Sequence, residues 1–138
     1  MKTSLWFALF MMFAVAATAQ SSLVTTFKFA GITEGYDHNC KTQVWVNGSL
    51  AGESGEVKES AGSTFTVNVP SGEQNIRIVN LAQYEGNWEE HTVDNNYSID
   101  CLWEGTATFG KKPSKIFLLF DLDSSTLVSW KKMPKAPK

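Results

Sequence analysis

Thr64-Phe65-Thr66-Val67-Asn68-Val69-Pro70-Ser71-Gly72-Glu73-Gln74-Asn75-Ile76-Arg77-Ile78-Val79-Asn80-Leu81 is the stretch that decides the fold. Phe65, Val67 and Val69 alternate with Thr64, Thr66 and Asn68, a period of two that turns one face of a strand inward and the other to water. The turn residues Pro70-Ser71-Gly72-Glu73 interrupt the pattern, and residues 75–81 resume it as the next strand.

The same alternation extends in both directions, broken about every eight to twelve residues by Gly, Asn, Pro and Ser clusters, and no stretch shows helical spacing. Upstream, residues 23–30 form a strand with Phe27 and Phe29 on one face. Residues 42–46 form another, with Val44 and Val46 inward and Trp45 outward. Asn47-Gly48 then supplies the two positive-φ positions of a tight hairpin. Residues 56–58 read as a short edge strand. Downstream, a loop at 83–87 leads to a strand at 88–93 and a turn at Asp94-Asn95-Asn96. Tyr97, Ile99, Cys101 and Trp103 share one face of the strand expected next, with Trp103 buried. Residues 115–121 and 126–130 pair across Asp123-Ser124-Ser125. Ile116 to Phe120 is apolar on both faces, as in a strand covered on both sides. The expectation is all-β: a single antiparallel β-sandwich of roughly seven to nine strands over residues 20–130.

Both chain ends differ from this body. Lys2, the apolar run 5–17 and Ala17-Thr18-Ala19 have the layout of a secretory signal peptide cleaved ahead of Gln20. The expected destination is secreted, periplasmic or extracellular, with no membrane span, because no other apolar run approaches the length a span needs. Lys131, Lys132, Lys135 and Lys138 make 131–138 a basic, Pro/Lys-rich tail that is expected to be disordered. With Lys2 and these four set aside, the twelve basic residues leave seven in the body against fourteen acidic ones. So acidic a body argues against nucleic acid as partner.

Val44-Trp45-Val46-Asn47-Gly48, then Gly52, the strand and turn from Phe65 to Glu73, and Ile76-Arg77-Ile78-Val79 together resemble PEGA-type repeats of bacterial envelope proteins and, more loosely, prealbumin-like sandwiches. The resemblance spans roughly residues 43–93 and lacks the family's Pro-Glu-Gly motif. It implies a non-catalytic envelope or extracellular module, with no active-site residue to transfer.

Cys40 and Cys101 are the only cysteines, and in an exported chain they are expected to form one disulfide. Such a bridge would stabilise the fold by roughly 4 kcal/mol on a chain-entropy estimate. His38 and His91 have neither zinc spacing nor a catalytic signature. Asp37-His38-Asn39, Asp94-Asn95-Asn96 and Asp121-Leu122-Asp123 gather oxygen ligands but lack calcium-loop spacing, and read as turns. No metal or cofactor is expected. Hydrolase and redox motifs are absent, and Glu89, Glu90 and Glu104 read as surface carboxylates.

Aromatic residues carry the functional expectation. Of five tryptophans only Trp6 precedes the body, and Trp45, Tyr84 and Trp88 are the candidate ligand-binding aromatics. Asn47-Gly48-Ser49 and Asn96-Tyr97-Ser98 match the N-glycosylation pattern, which matters in a eukaryotic secretory pathway. The chain is therefore read as a secreted, non-catalytic binding or interaction module with a protein partner at the envelope or extracellular space. A carbohydrate-binding module with an exposed aromatic platform is the alternative, and a small secreted hydrolase the second.

Overall fold

Alternation along the chain becomes ten β-strands in the computed structural model, which describes residues 19–138. They are β1 (Gln20–Ala30), β2 (Asn39–Val46), β3 (Ser49–Glu53), β4 (Val57–Lys58), β5 (Ser63–Pro70), β6 (Gly72–Tyr84), β7 (Asn87–Glu90), β8 (Leu102–Phe109), β9 (Ser114–Asp121) and β10 (Thr126–Ser129). One sheet has the order β10-β9-β1-β5. The other runs β3-β2-β6-β7, with β4 pairing β2 and β8 pairing β6. Together they form the expected all-β sandwich, and among the described residues no helix is long and apolar enough to cross a membrane. Residues 1–18 lie outside the description, so the signal-peptide reading falls there except for Ala19. β1 begins at Gln20, and the Ala19 carbonyl accepts a hydrogen bond from Ser71 N.

The inner faces interdigitate as the alternation predicts. Leu23 and Phe27 of β1, Val67 and Val69 of β5, and Ile116, Leu118 and Phe120 of β9 meet Val44 and Val46 of β2, Ile76 and Ile78 of β6, and Phe109 of β8. Each fully buried side chain of this size stabilises the fold by about 1.5–3 kcal/mol. Asn47 and Gly48 take the positive φ values that a two-residue turn between β2 and β3 demands, 49° and 83°. Gly62 at φ 61° lets the chain pass against β1, where a Cβ would lie 2.5 Å from the Phe27 carbonyl.

Several boundaries differ from the sequence reading. β1 pairs parallel with β9, so the sandwich is not purely antiparallel. β3 was not foreseen, because Leu50-Ala51-Gly52-Glu53 lacks alternation and owes its strand conformation to the hairpin before it. The loop at 83–87 contracts to a two-residue turn, Glu85-Gly86, with φ 50° and 81°. β7 stops at Glu90, and Val93–Asn95 is a 3₁₀ turn. The strand expected from Tyr97 starts only at Leu102, because the backbone of this segment bonds locally and to a neighbouring hairpin. Trp103 is half-buried, lying over Gly105 and 5.7 Å from the Trp130 ring. The 131–138 tail carries no strand or helix, but Met133 and Pro134 are half-buried.

The expected disulfide is corrected: Cys40 and Cys101 are free thiols, each fully buried. Register explains this. Cys40 pairs with Ala82 on one side of β6, while Cys101 accepts from Asn80 N on the other. Two interstrand spacings separate them, roughly 10 Å between Cα atoms, beyond the reach of a disulfide. Burial pushes the Cys40 thiol up to about 12 and the Cys101 thiol upward as well, which makes both inert as nucleophiles. A thiol assay without reductant is expected to find two titratable thiols in unfolded protein and none reacting rapidly in the folded state. No thiol after unfolding would show that the bridge forms.

Candidate functional site

At one end of the sandwich, a cavity of about 640 Å³ opens between the β1–β2 loop, the turn after β4, the β6–β7 hairpin, the segment 91–98 and the β9–β10 turn. It forms because β6 changes partners. β8 pairs with β6 up to Val79 and β7 pairs from Leu81 onward, leaving Asn80 between them. Three backbone bonds close the gap: Asn80 N to Cys101 O at 2.9 Å, His91 N to Asn80 O at 2.8 Å, and Cys101 N to His91 O at 2.8 Å. Between His91 and Cys101 the chain makes an excursion held by its own side chains. Asp100 accepts from Val93 N, and Asn95 donates to the Glu90 carbonyl. Ser98 and Thr126 tie the excursion to the β9–β10 hairpin.

Glu59 and His91 lie at the cavity floor. Glu59 is 0% exposed and His91 3%, with Oε1 and Nδ1 3.7 Å apart, and neither carboxyl oxygen nor Nδ1 has a hydrogen-bond partner. Burial pushes the Glu59 carboxyl up to about 8, helped by the Asp37 charge, and holds His91 down to about 4, helped by His38. The pair is thus a neutral carboxylic acid facing a neutral imidazole rather than an ion pair. Tyr97 stacks on His91 with ring centroids 4.1 Å apart, and its hydroxyl donates to Glu89 at 2.7 Å. Burial, and after it that contact, raise the Tyr97 hydroxyl above its ordinary range. Phe29 lies 5.9 Å from His91 and extends the aromatic packing of Phe27 and Phe120 to the cavity. Hydrogen bonds from Ser60 hold Asp37, and with it the β1–β2 loop, against the turn that carries Glu59, and they lower the Asp37 carboxyl. At the rim Tyr36 is 65% and Tyr84 52% exposed, with His38 packed edge-on against Tyr84.

The three candidate aromatics do not form one platform. Tyr84 lines the cavity, whereas Trp88, opposite Gln83 and one step along the strand, is turned to the outer face of the sheet. There Lys41 Nζ sits 4.6 Å above the Trp88 ring. Trp45 lies in a second, broader hollow on that outer face, of about 830 Å³, with its Nε1 donating to Gln43. The charges in this hollow satisfy one another: Arg77 binds Glu90 through two bonds of 3.1 and 2.7 Å and Glu104 at 3.1 Å. Among the described residues none of the buried polar atoms that lack a partner lies in this hollow.

Sequence reading missed Glu59 and Tyr36, and gave His91 no role, since it has neither zinc spacing nor a catalytic signature. A signal was present, however. The three oxygen-rich clusters read as separate turns converge on this one cavity, contributing His38, Asn95, Asn96 and Asp123. Among the described residues no group of three or more His, Cys, Asp or Glu side chains is arranged to hold a metal. The two sequon asparagines differ. Asn47 spends its amide on Gln74 and Asn75 N, while Asn96 is exposed at the lip of the cavity with φ 69°.

No family model and no curated protein matches this chain. Among solved structures it is similar to pneumolysin at 10% identity and a TM-score of 0.39, covering 83% of this chain and 24% of that one. A Gram-negative toxin gives 8% and 0.37 with coverage of 83% and 24%, and listeriolysin O gives 11% and 0.34 with 83% and 23%. The chain spans about a quarter of the length of each. Likenesses this loose assign neither family nor activity.

The floor pair generates a pH dependence. Glu59 is raised from an ordinary 4.5 to about 8, so the folded state holds a proton that the unfolded state has lost, and stability falls as pH rises through this window. His91 is lowered from 6.5 to about 4, so its effect is the opposite, a rise in stability between pH 4 and 6.5 that offsets Glu59 there. Only Glu59 acts between pH 6.5 and 8. Over that interval stability should drop by about 2 kcal/mol, seen as a Tm decrease of roughly 5–10 °C. The decrease should vanish in Glu59→Gln; calorimetry of both proteins across the range checks it.

Proposed function

We propose that the protein is an exported, non-catalytic binding module that takes its ligand at the cavity in the end of the sandwich. The observation that carries this reading is the pairing of Tyr36 and Tyr84, two of the most exposed large side chains, at the rim of one cavity whose floor holds unpartnered polar groups. Exposed rings above a concave site supply contact area at little entropic cost, and a few polar groups beneath them fix orientation. Val93, 54% exposed, opens the excursion that builds one wall and adds to the apolar surface at this end. The cavity volume suits a small molecule or a single protruding side chain of a protein partner better than a flat protein face.

The resemblance of roughly residues 43–93 to PEGA-type modules supports the non-catalytic reading, as do the two thiols that burial keeps protonated. A sugar platform built from Trp45, Tyr84 and Trp88 together is not favoured, since Tyr84 faces the cavity and the two tryptophans the outer sheet.

Thermal-shift screening of the chain lacking residues 1–19 against small-molecule, peptide and glycan collections tests the reading. Ligands are expected that raise Tm for the native protein and lose at least about tenfold in affinity in Tyr36→Ala/Tyr84→Ala. The unliganded Tm of that variant should be nearly unchanged, because exposed rings add little to the core. Ligands that bind the double variant as well as the native protein would place the site elsewhere, and turnover of any of them would refute the non-catalytic assignment.

A further inference from the structure

We propose that the end cavity recognises a primary alkylammonium group, seated between the tyrosine rings and directed onto the Glu59 carboxyl. This rests on the reading that the cavity binds a ligand, and adds the charge and hydrogen-bonding character of that ligand.

Three observations point the same way. First, Glu59 is fully buried and both its oxygens lack a donor, an arrangement that is costly in a folded protein and is relieved by an N–H donor arriving from the cavity. His91 does not relieve it, because 3.7 Å is too long for a hydrogen bond. Second, Glu89 and Asp123 line the cavity and no lysine or arginine does, so its walls attract a cation and repel an anion. Third, the rings of Tyr36, Tyr84 and Tyr97 border the same space, and the negative face of an aromatic ring stabilises a cation placed against it. A neutral sugar would use the rings and donate to Glu59, yet it would leave the wall charge uncompensated. A primary ammonium meets all three conditions at once: its positive charge balances the carboxylates, its three N–H groups donate to them, and its alkyl stem packs against the tyrosines.

The ammonium has two natural sources, a free amine or the lysine side chain of a protein partner, and both offer the same chemistry. Burial raises Glu59 to about 8, with the charge of Asp37 adding to the effect and His91 and His38 as the neighbouring imidazoles, so an arriving cation would ionise it. Binding near pH 7 should therefore expel a proton, which a loose surface attraction would not do.

The test is calorimetric titration of the chain lacking residues 1–19 with butylammonium, with a short end-capped peptide carrying one lysine, and with butanol as the neutral isostere. Saturable binding of the amine, the peptide or both is expected, with butanol at least about tenfold weaker. The stronger of the two cationic probes names the source. Glu59→Gln should weaken binding at least about tenfold and abolish the proton release, read as the dependence of the binding heat on the buffer's ionisation enthalpy. Tyr84→Ala, exposed and so without effect on folding, should weaken it about as much and covers the case in which Glu59→Gln fails to fold. Butanol or an uncharged oligosaccharide binding as tightly as the amine in a Tyr84-dependent manner would overturn the cationic assignment while leaving the cavity as a binding site. Absence of binding by both cationic probes at millimolar concentration also overturns it. Ligands indifferent to Tyr36→Ala/Tyr84→Ala would remove the cavity reading itself.

Discussion

Asn80 sits where β6 exchanges one antiparallel partner for another, and the rest of the molecule's end depends on how that exchange is bridged. β6 pairs with β2 along one side from Ile76 to Ala82, while on the other it must accept β8 and then β7. An interior strand cannot leave backbone groups unpaired at such a junction. The Asn80, His91 and Cys101 bonds satisfy it and fix the two ends of the intervening segment. The chain between those ends then has no sheet to join, so it folds over the end of the sandwich on its own hydrogen bonds and builds one wall of the cavity.

The junction also explains why the interior near the cavity is polar. Asn80 and Thr42 bond each other beneath it, with Cys40, Cys101, Glu59 and His91 also buried there. A buried ionised pair would carry a desolvation penalty that mutual attraction repays only with good geometry and further hydrogen bonds. Here the penalty is avoided by keeping both groups neutral, which burial enforces in opposite directions on carboxyl and imidazole. The aromatic packing from Phe120 and Phe29 through His91 to Tyr97 holds the imidazole in place without a hydrogen bond to its Nδ1.

Charge is distributed with similar economy across the remaining surface. The outer face of the six-stranded sheet carries two tryptophans, but Lys41 covers one and the Arg77 network borders the other, so the rings are partly screened and the charges are paired. Exposed rings and unsatisfied polar atoms coincide instead at the end of the sandwich. That coincidence, more than the size of any hollow, singles the cavity out.

Local features of the sequence determined the β-sandwich class, the inward placement of Val44, Val46, Phe27, Val67 and Val69, and the Asn47-Gly48 hairpin. Each of these depends on residues adjacent in the chain: strand period, turn chemistry and the positive φ that Asn and Gly tolerate. Tertiary structure alone decided the parallel pairing of β1 with β9, the free state of the two cysteines and the cavity itself. The thiols face one another across a strand whose register nothing near Cys40 or Cys101 encodes. Tyr97 to Cys101 alternates like a strand, but its backbone bonds are taken elsewhere, so the alternation led to a strand that does not form. Glu59 and His91 meet across thirty-two residues of chain. Neither has a neighbour in sequence that signals burial, because burial is conferred by strands that come together only when the two sheets close.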